Sequence, residues 1–256
     1  MFPVERQKYI LEEIKNHGFV KVDDLSKELG VSSMTIHRDL DLLEKKRKLR
    51  KKYGGAVRIN ELLNETASSK RRTENTKIKK KIAYKALELI NHGDVILLDG
   101  GSTNFELAKL INDKEHLNLT VITNDLNIAV TLCPNTKVRL IMIGGVVDGN
   151  NELTSGSLAN SFLDNFSIDK SFIGTQAINE EMYIMTTQEK KITLKKKYLE
   201  RSAQNILVTD KTKFGEDRLF KITQIKDFDY LITDAKLNKE LKKYCVHNSV
   251  KLLTID

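Results

Sequence analysis

Tryptophan is absent from this 256-residue chain, and proline and cysteine occur only twice each. Cys133 and Cys245 lie far apart and form no CxxC pair. That excludes a disulfide framework and the spacings of structural zinc, and leaves a buried thiol as the expected state. His17, His37, His92, His116 and His247 show neither HxxxH nor HExxH spacing, so no metal and no cofactor is expected. No apolar run approaches the ~18 residues of a membrane span, and no apolar core follows basic residues at the start. Neither a spanning helix nor a signal peptide is therefore expected, and the anticipated location is the reducing cytoplasm.

Positive charge is plentiful. The net charge is +8, and residues 1–58 carry 14 Lys/Arg against 9 Asp/Glu, so most of the excess sits in the first quarter. An N-terminal polyanion-binding module fits this better than a uniformly basic protein. A solvated face or tail is the competing reading of a bare lysine run. Leucines interleave this one, and it follows a patterned helix, which weighs against that reading.

The patterned helix starts near Val31-Ser32-Ser33-Met34-Thr35-Ile36-His37-Arg38-Asp39-Leu40. Ser32 or Ser33 can cap it. Met34, Ile36, Leu40, Leu42 and Leu43 form the expected apolar stripe, with Ser33, Thr35, His37, Arg38 and Asp41 facing away. Upstream, Val4 to Asn16 reads as a helix ended by His17-Gly18. Residues 19–22 read as a short strand, and Asp23 or Asp24 caps a helix closed at Gly30. Helix, short helix, glycine turn, helix is the helix-turn-helix order. Leu49 to Val57 should return as a hairpin turning at Gly54-Gly55. Ser32, Ser33, Thr35, His37 and Arg38 are the candidate DNA contacts on the helix. Ser33, Thr35, His37 and Arg38 among them are placed to reach base edges, while Lys45, Arg47, Arg50, Lys51, Lys52 and Tyr53 would track phosphates.

Leu25-Ser26 through Leu29-Gly30-Val31-Ser32, Thr35-Ile36-His37-Arg38-Asp39-Leu40 and Tyr53-Gly54-Gly55-Ala56 together resemble the winged helix of the DeoR family of bacterial transcriptional regulators. His37 stands where that family usually carries Arg. A neutral imidazole cannot fork onto guanine O6 and N7, so the departure bears on the operator sequence.

Residues 59–75 are polar and read as a partly helical linker. From residue 76 apolar runs alternate with helical stretches: strands near 94–98, 119–123, 138–143, 171–173, 206–208, 230–232 and 252–254, helices near 82–90, 105–111 and 126–132. This predicts an open α/β sheet over 76–256, behind a DNA-binding domain at 1–58. Ligands bind such sheets beyond the carboxyl ends of the strands. The loops there are Asp99-Gly100-Gly101-Ser102-Thr103-Asn104, Thr123-Asn124-Asp125, Gly174-Thr175-Gln176 and Asp210-Lys211-Thr212-Lys213-Phe214-Gly215. Glycines, hydroxyls and a helix N-terminus suit a phosphorylated or carboxylated polyol. An ordinary helix cap explains a lone Gly-Gly-Ser-Thr loop equally well. Neither GxxxxGK[ST] nor GxGxxG is present. Lys190-Lys191 and Lys195-Lys196-Lys197 read as a solvated helix face.

Asp-Gly-Gly-Ser-Thr at 99–103, Thr-Asn at 123–124, Ile-Gly-Gly at 143–145 and Asp-Lys-Thr-Lys-Phe-Gly at 210–215 resemble the same family's C-terminal sensor domain. Gly100 replaces the Ser of the usual pattern. The resemblance implies a fold of the sugar-phosphate isomerase and CoA-transferase type and a phosphorylated sugar effector. It implies that Gly101, Ser102 and Thr103 hold the phosphate. Asp99, Asn124 and Gly174 would shape the pocket, and Lys196 and Lys213 would supply cations. The implied function is a repressor of sugar-metabolism genes, a homodimer or homotetramer on double-stranded operator DNA. The alternative is a sugar-phosphate isomerase or deaminase with a basic arm, using Asp99, Asp125, Glu189 or Asp210 as acid or base.

Overall fold

The computed structural model describes residues 2–46, 48–58, 62, 66–114, 117–235 and 239–255. They form two compact units, residues 1–65 and 66–256. No described helix is long and apolar enough to cross a membrane.

In the first unit α1 (Pro3–His17) ends on Gly18, whose φ of 81° gives the left-handed cap. Strand β1 (Phe19–Lys21), α2 (Val22–Leu29) and α3 (Ser33–Lys45) follow. Helix α2 starts at least two residues earlier than the acidic-cap expectation. Lys21 is its N-cap with no side-chain bond, and Asp23 and Asp24 sit in the first turn, where they favour the helix dipole. Strands β2 (Leu49–Lys52) and β3 (Gly55–Arg58) complete an antiparallel sheet in the order β1-β3-β2. The hairpin turns at Tyr53-Gly54, not at Gly54-Gly55: Lys52 pairs with Gly55 across it, and Gly54 carries the positive φ of 76°. Gly55 is needed for a different reason. A Cβ there would lie 2.0 Å from the Val20 carbonyl oxygen, because β1 passes directly beside it.

The core of this unit gathers Ile10 and Ile14 of α1, Val22 and Leu25 of α2, Ile36, Leu40 and Leu43 of α3, and Leu49 of the hairpin. Met34 and Leu42 are not in it; they are 64 % and 46 % exposed. The inward stripe of α3 is narrower than the apolar composition suggests, and its fourth buried residue is charged: Asp39. Asp39 accepts from Arg6 Nε and, at 3.1 Å, from Gln7 Nε2, tying α3 to α1.

The second unit begins earlier than the linker boundary at residue 75. Helix α4 (Ser68–Thr73) belongs to it. Ser68 N–H donates to the Asn150 carbonyl, Arg71 to Asn151 Oδ1 at 3.0 Å, and Arg72 pairs with Glu152. There follow α5 (Thr76–Leu87), β4 (Val95–Leu98), α6 (Ser102–Asn112), β5 (Thr120–Thr123), α7 (Leu126–Leu132) and β6 (Arg139–Met142). A hairpin, β7 (Val146–Asp148) and β8 (Leu153–Ser155), leads to α8 (Ser157–Leu163) and β9 (Ile168–Ile173). Next come β10 (Ala177–Ile178), β11 (Tyr183–Thr186), α9 (Lys190–Arg201), β12 (Ser202–Val208) and β13 (Phe220–Gln224). Strand β14 (Tyr230–Thr233), α10 (Lys239–His247) and β15 (Lys251–Thr254) end the unit.

Seven strands make one sheet in the order β15-β14-β12-β9-β4-β5-β6, all parallel. Both faces are covered, as parallel sheets require. Ile96, Leu98, Val121, Phe172 and Ile206 meet α5, α6 and α7 on one face. Leu97, Ile122, Ile173 and Leu207 meet α8, α9 and the small β10-β11-β13 sheet on the other. The chain runs outward from β4 through β5 to β6, then restarts at β9 on β4's other side. The direction reverses between β4 and β9, which is where an open α/β sheet leaves a crevice at its carboxyl end.

Candidate nucleic-acid interface and effector site

Ser32 caps α3. Its hydroxyl accepts from Thr35 N–H at 3.2 Å and lies 2.9 Å from Thr35 Oγ1. These two side chains are occupied in closing the first turn. The α3 face opposite the core carries Ser33, Met34, Arg38, Asp41, Leu42 and Lys45, all exposed, and His37 is half-buried at its margin. Asp41 would repel phosphates, but Lys51 Nζ on the hairpin lies 2.5 Å from its Oδ1. Lys51 first, with Lys45 and His37 adding their charge, holds that carboxyl below the usual range. Lys51 is therefore spent partly inside the protein. Its backbone N–H also binds Glu44 Oε1 at 2.8 Å, pinning the hairpin to α3. Arg50 and Lys52 are half-buried on β2, and Tyr53 stands fully exposed at the tip. Arg47 lies outside the described residues.

In the second unit Asp99, Asn124 and Gly174 close the carboxyl ends of β4, β5 and β9; Asp99 bonds Gly174, and Asn124 bonds the neighbouring Gly100. Asp99, 3 % exposed, accepts from Gly174 N–H at 3.0 Å and from Lys195 Nζ at 2.5 Å through the same oxygen. Lys195 donates to the Gly174 carbonyl as well, at 2.5 Å. Asn124 Oδ1 accepts from Gly100 N–H at 3.0 Å, while its Nδ2 donates to the Thr154 carbonyl at 3.0 Å. The loop is thereby held from both sides and delivers Gly101, Ser102 and Thr103, all half-buried, to the first turn of α6. No side chain caps α6 at Gly101, so no capping side chain takes up the N–H groups of that turn.

Asn104 Nδ2 bridges the Asp99 and Phe172 carbonyls at 2.8 and 2.7 Å, locking the two strand ends together. Gly100 has a local explanation. A Cβ there would fall 2.1 Å from Leu153 Cδ2, so the leucine of the β7–β8 hairpin occupies the space that the family's serine would fill. A small crevice opens beside this leucine, lined by Asn124, Asp148, Thr154, Gln188, Lys190 and Lys191 among others.

Lys196 is exposed; it is Lys195, one residue earlier, that reaches the site. Adjacent helical positions differ by about 100°, and α9 buries Lys191, Leu194, Lys195 and Tyr198. The lysine run is thus only partly a solvated face. The i, i+3, i+4, i+7 spacing of these four was the signal in the sequence. Lys213 sits half-buried in a 3-10 turn (Lys211–Lys213) after β12, next to β9 in the sheet, and no bond ties it to the Asp99 cluster. Lys79 is buried on α5 and donates to the Arg71 and Glu74 carbonyls at 2.5 and 2.6 Å. Burial lowers its pKa, and the Lys213 and Arg71 charges push the same way against Asp210 and Glu74.

Three of the four candidate acid–base carboxylates are engaged in structure. Asp99 pairs with Lys195. Asp125 caps α7 through the N–H groups of Asn127 and Ile128 at 2.8 and 3.1 Å. Burial raises the Asp125 pKa and Asp99 adds to the rise, while those N–H groups and Arg72 oppose it. Asp210 caps its own turn by accepting from Thr212 N–H at 2.9 Å. Glu189 is exposed at the start of α9. Among the described residues no group of three His, Cys, Asp or Glu side chains is placed to hold a metal.

Comparison with known proteins bears on both halves. The profile described as DeoR-like helix-turn-helix domain matches residues 6–62, and that described as DeoR C terminal sensor domain matches residues 74–235. An HTH-type transcriptional regulator of Bacillus subtilis, YulB, is 33 % identical over 100 % of this chain and 98 % of its own length. A putative aga operon transcriptional repressor of Escherichia coli O157:H7 is 34 % identical over 90 % of this chain and 86 % of its own. The glycerol-3-phosphate regulon repressor of Escherichia coli K12 is 29 % identical over 92 % of each. A ribose 5-phosphate isomerase from Methanocaldococcus jannaschii covers 55 % of this chain and 55 % of its own at 19 % identity, with a TM-score of 0.42. A DeoR-type DNA-binding unit and a DeoR sensor unit in one polypeptide, aligned end to end with regulators, make this chain a member of the DeoR family of DNA-binding transcriptional regulators.

Proposed function

We propose that the protein represses genes of sugar metabolism and that a phosphorylated sugar bound in the second unit modulates its hold on the operator. The observation that carries this is the loop Asp99–Thr103. Asn124 and Lys195 hold it from two sides at the reversal point of a parallel sheet, with an α6 N-terminus that no side chain caps. Backbone N–H groups and the helix dipole there favour a dianion. Gly101, Ser102 and Thr103 hold the phosphate. Asp99, Asn124 and Gly174 set the shape of the floor, and Lys213 approaches from the neighbouring strand end. Two of the relatives support the sugar reading by name, as repressors of an aga operon and of a glycerol-3-phosphate regulon.

At the other end Ser33, His37 and Arg38 face bases, while Lys45, Arg50, Lys51, Lys52 and Tyr53 lie along phosphates. The working form is a homo-oligomer in the cytoplasm, because paired half-sites multiply a modest single-module affinity. Effector control is a shift of population: the ligand must prefer the arrangement that does not fit the operator, by a coupling of ~1–3 kcal/mol.

The test is an anisotropy titration on an operator selected from random duplex, repeated with a panel of sugar phosphates. One of them should change the operator Kd by about 5- to 150-fold and raise the melting temperature of the chain. Robust isomerisation of any of them would overturn the assignment, as would equal affinity for all duplexes.

A further inference from the structure

Helix α3 has an apolar side chain where a solvent-facing position gains nothing from one. Met34 is 64 % exposed in the first turn. It stands about two and a half turns from buried Leu43, and so on the opposite side of the helix from the core. Its neighbour one turn on is exposed Arg38, about 6 Å along the axis. The other side chains of that turn outside the core are polar. Ser32 and Thr35 are bonded to each other, and Ser33 is exposed beside Met34. The acidic group on the same face, Asp41, is held by Lys51 on the hairpin. The exposed face is thus apolar at its leading edge, cationic one turn behind and relieved of free negative charge.

In the major groove thymine alone presents a methyl group, and guanine offers the two acceptors that an arginine fork fits. We propose that Met34 is a specificity-determining residue that packs on a thymine 5-methyl group, within two base pairs of the guanine contacted by Arg38. This rests on the reading of the first unit as an operator-binding module and assigns to one side chain a chemistry that the helix-turn-helix pattern leaves open. The polar row of the helix supplies hydrogen bonds. Met34 supplies the one contact that separates thymine from the other pyrimidine without any.

Deoxyuridine isolates that contact, since it differs from thymidine only by the methyl group. An operator is first enriched from a random duplex pool with the full-length protein, and each thymine is then replaced by deoxyuridine in turn. One replacement should weaken wild-type binding about fourfold, the worth of one buried methyl. Met34→Ala should bind the thymine operator weakly and lose nothing further on that replacement. Met34→Gln, which can fork onto adenine N6 and N7, should move the preference at that position to adenine. Leu42→Ala, two turns further on, should keep the wild-type deoxyuridine sensitivity. Unchanged affinity for random duplex will show that Met34→Ala is folded. A flat deoxyuridine scan on an enriched operator overturns the Met34 assignment alone, as does the same sensitivity in Met34→Ala. Failure to enrich any sequence overturns the operator-binding reading with it.

Discussion

Replacing Asp39 by alanine should strongly destabilise the DNA-binding unit while leaving the second unit intact. The side chains of Arg6 and Asp39 are 8 % and 4 % exposed, so the pair is desolvated and its two charges compensate each other with little help from water. Removing the carboxylate takes away the buried acceptor of Arg6 Nε, and Gln7 Nε2 loses its acceptor as well. Loss of one partner from a buried pair costs about 3–5 kcal/mol. A unit of this size buries a smaller fraction of its chain's surface than a larger domain does and commonly holds only about 5 kcal/mol in total.

At about 4–8 °C per kcal/mol for so small a unit, its melting temperature should fall by at least ~12 °C. Far-UV circular dichroism and calorimetry on the whole chain should then show one transition moved and one unmoved, with operator binding lost in proportion. The control is Asp41→Ala. Asp41 and Lys51 are 51 % and 26 % exposed, and a pair in that setting contributes less than about 1 kcal/mol. Equal shifts from Asp39→Ala and Asp41→Ala would refute the argument that burial, and not ion-pair geometry, sets the cost. Arg6→Met combined with Asp39→Leu should recover most of the loss, because no charge is then stranded.

Three further outcomes follow from the same geometry. Gly55→Ala should displace the hairpin from β1 and lower affinity for every duplex, since the added methyl would meet the Val20 carbonyl at 2.0 Å; unchanged affinity and unfolding would contradict that close approach. Lys195→Met should destabilise the second unit and abolish the response to sugar phosphate while operator binding survives, and Lys196→Met should do neither. Matching effects in the two variants, read by thermal shift with and without ligand, would put the wrong lysine in the site. Asp148 is partly buried, which works against its charge, but hydrogen bonds from Asn151, Gln188 and Lys190 outweigh this and hold its carboxyl well below the usual carboxylate range. A depressed carboxylate stabilises above its unfolded value near 4 and loses that contribution as pH falls below it. Urea unfolding of the second unit between about pH 5 and 3 should therefore be less acid-sensitive in Asp148→Asn, and an unchanged slope would remove Asp148 from the account.

Local pattern alone determined a good deal. The α1–β1–α2–α3–hairpin order was legible because capping serines, chain-reversing glycines and helical periodicity act over a few residues. The central strands were legible because a parallel strand covered on both faces must be apolar throughout, as Val95 to Leu98 is. The loop at 99–103 was legible because glycines and hydroxyls between a strand and a helix are a local arrangement. Short elements and charged interiors were not. The β7–β8 hairpin and the β10-β11-β13 sheet consist of strands of two to five residues, too brief for any period to emerge. Lys191 and Lys195 read as surface residues because charge is normally solvated, and no local pattern marked Asp39 as buried. Only the packing of distant segments supplies the partners that make such burial tolerable: Asp99 and Gly174 for Lys195, Arg6 and Gln7 for Asp39. The same holds for Gly100, whose lack of a side chain makes sense once Leu153, more than fifty positions away, is seen to fill the space. Neighbours in sequence set which elements form; contacts between residues far apart in sequence decided which charges the core could keep, and so which lysine meets Asp99 at the strand ends.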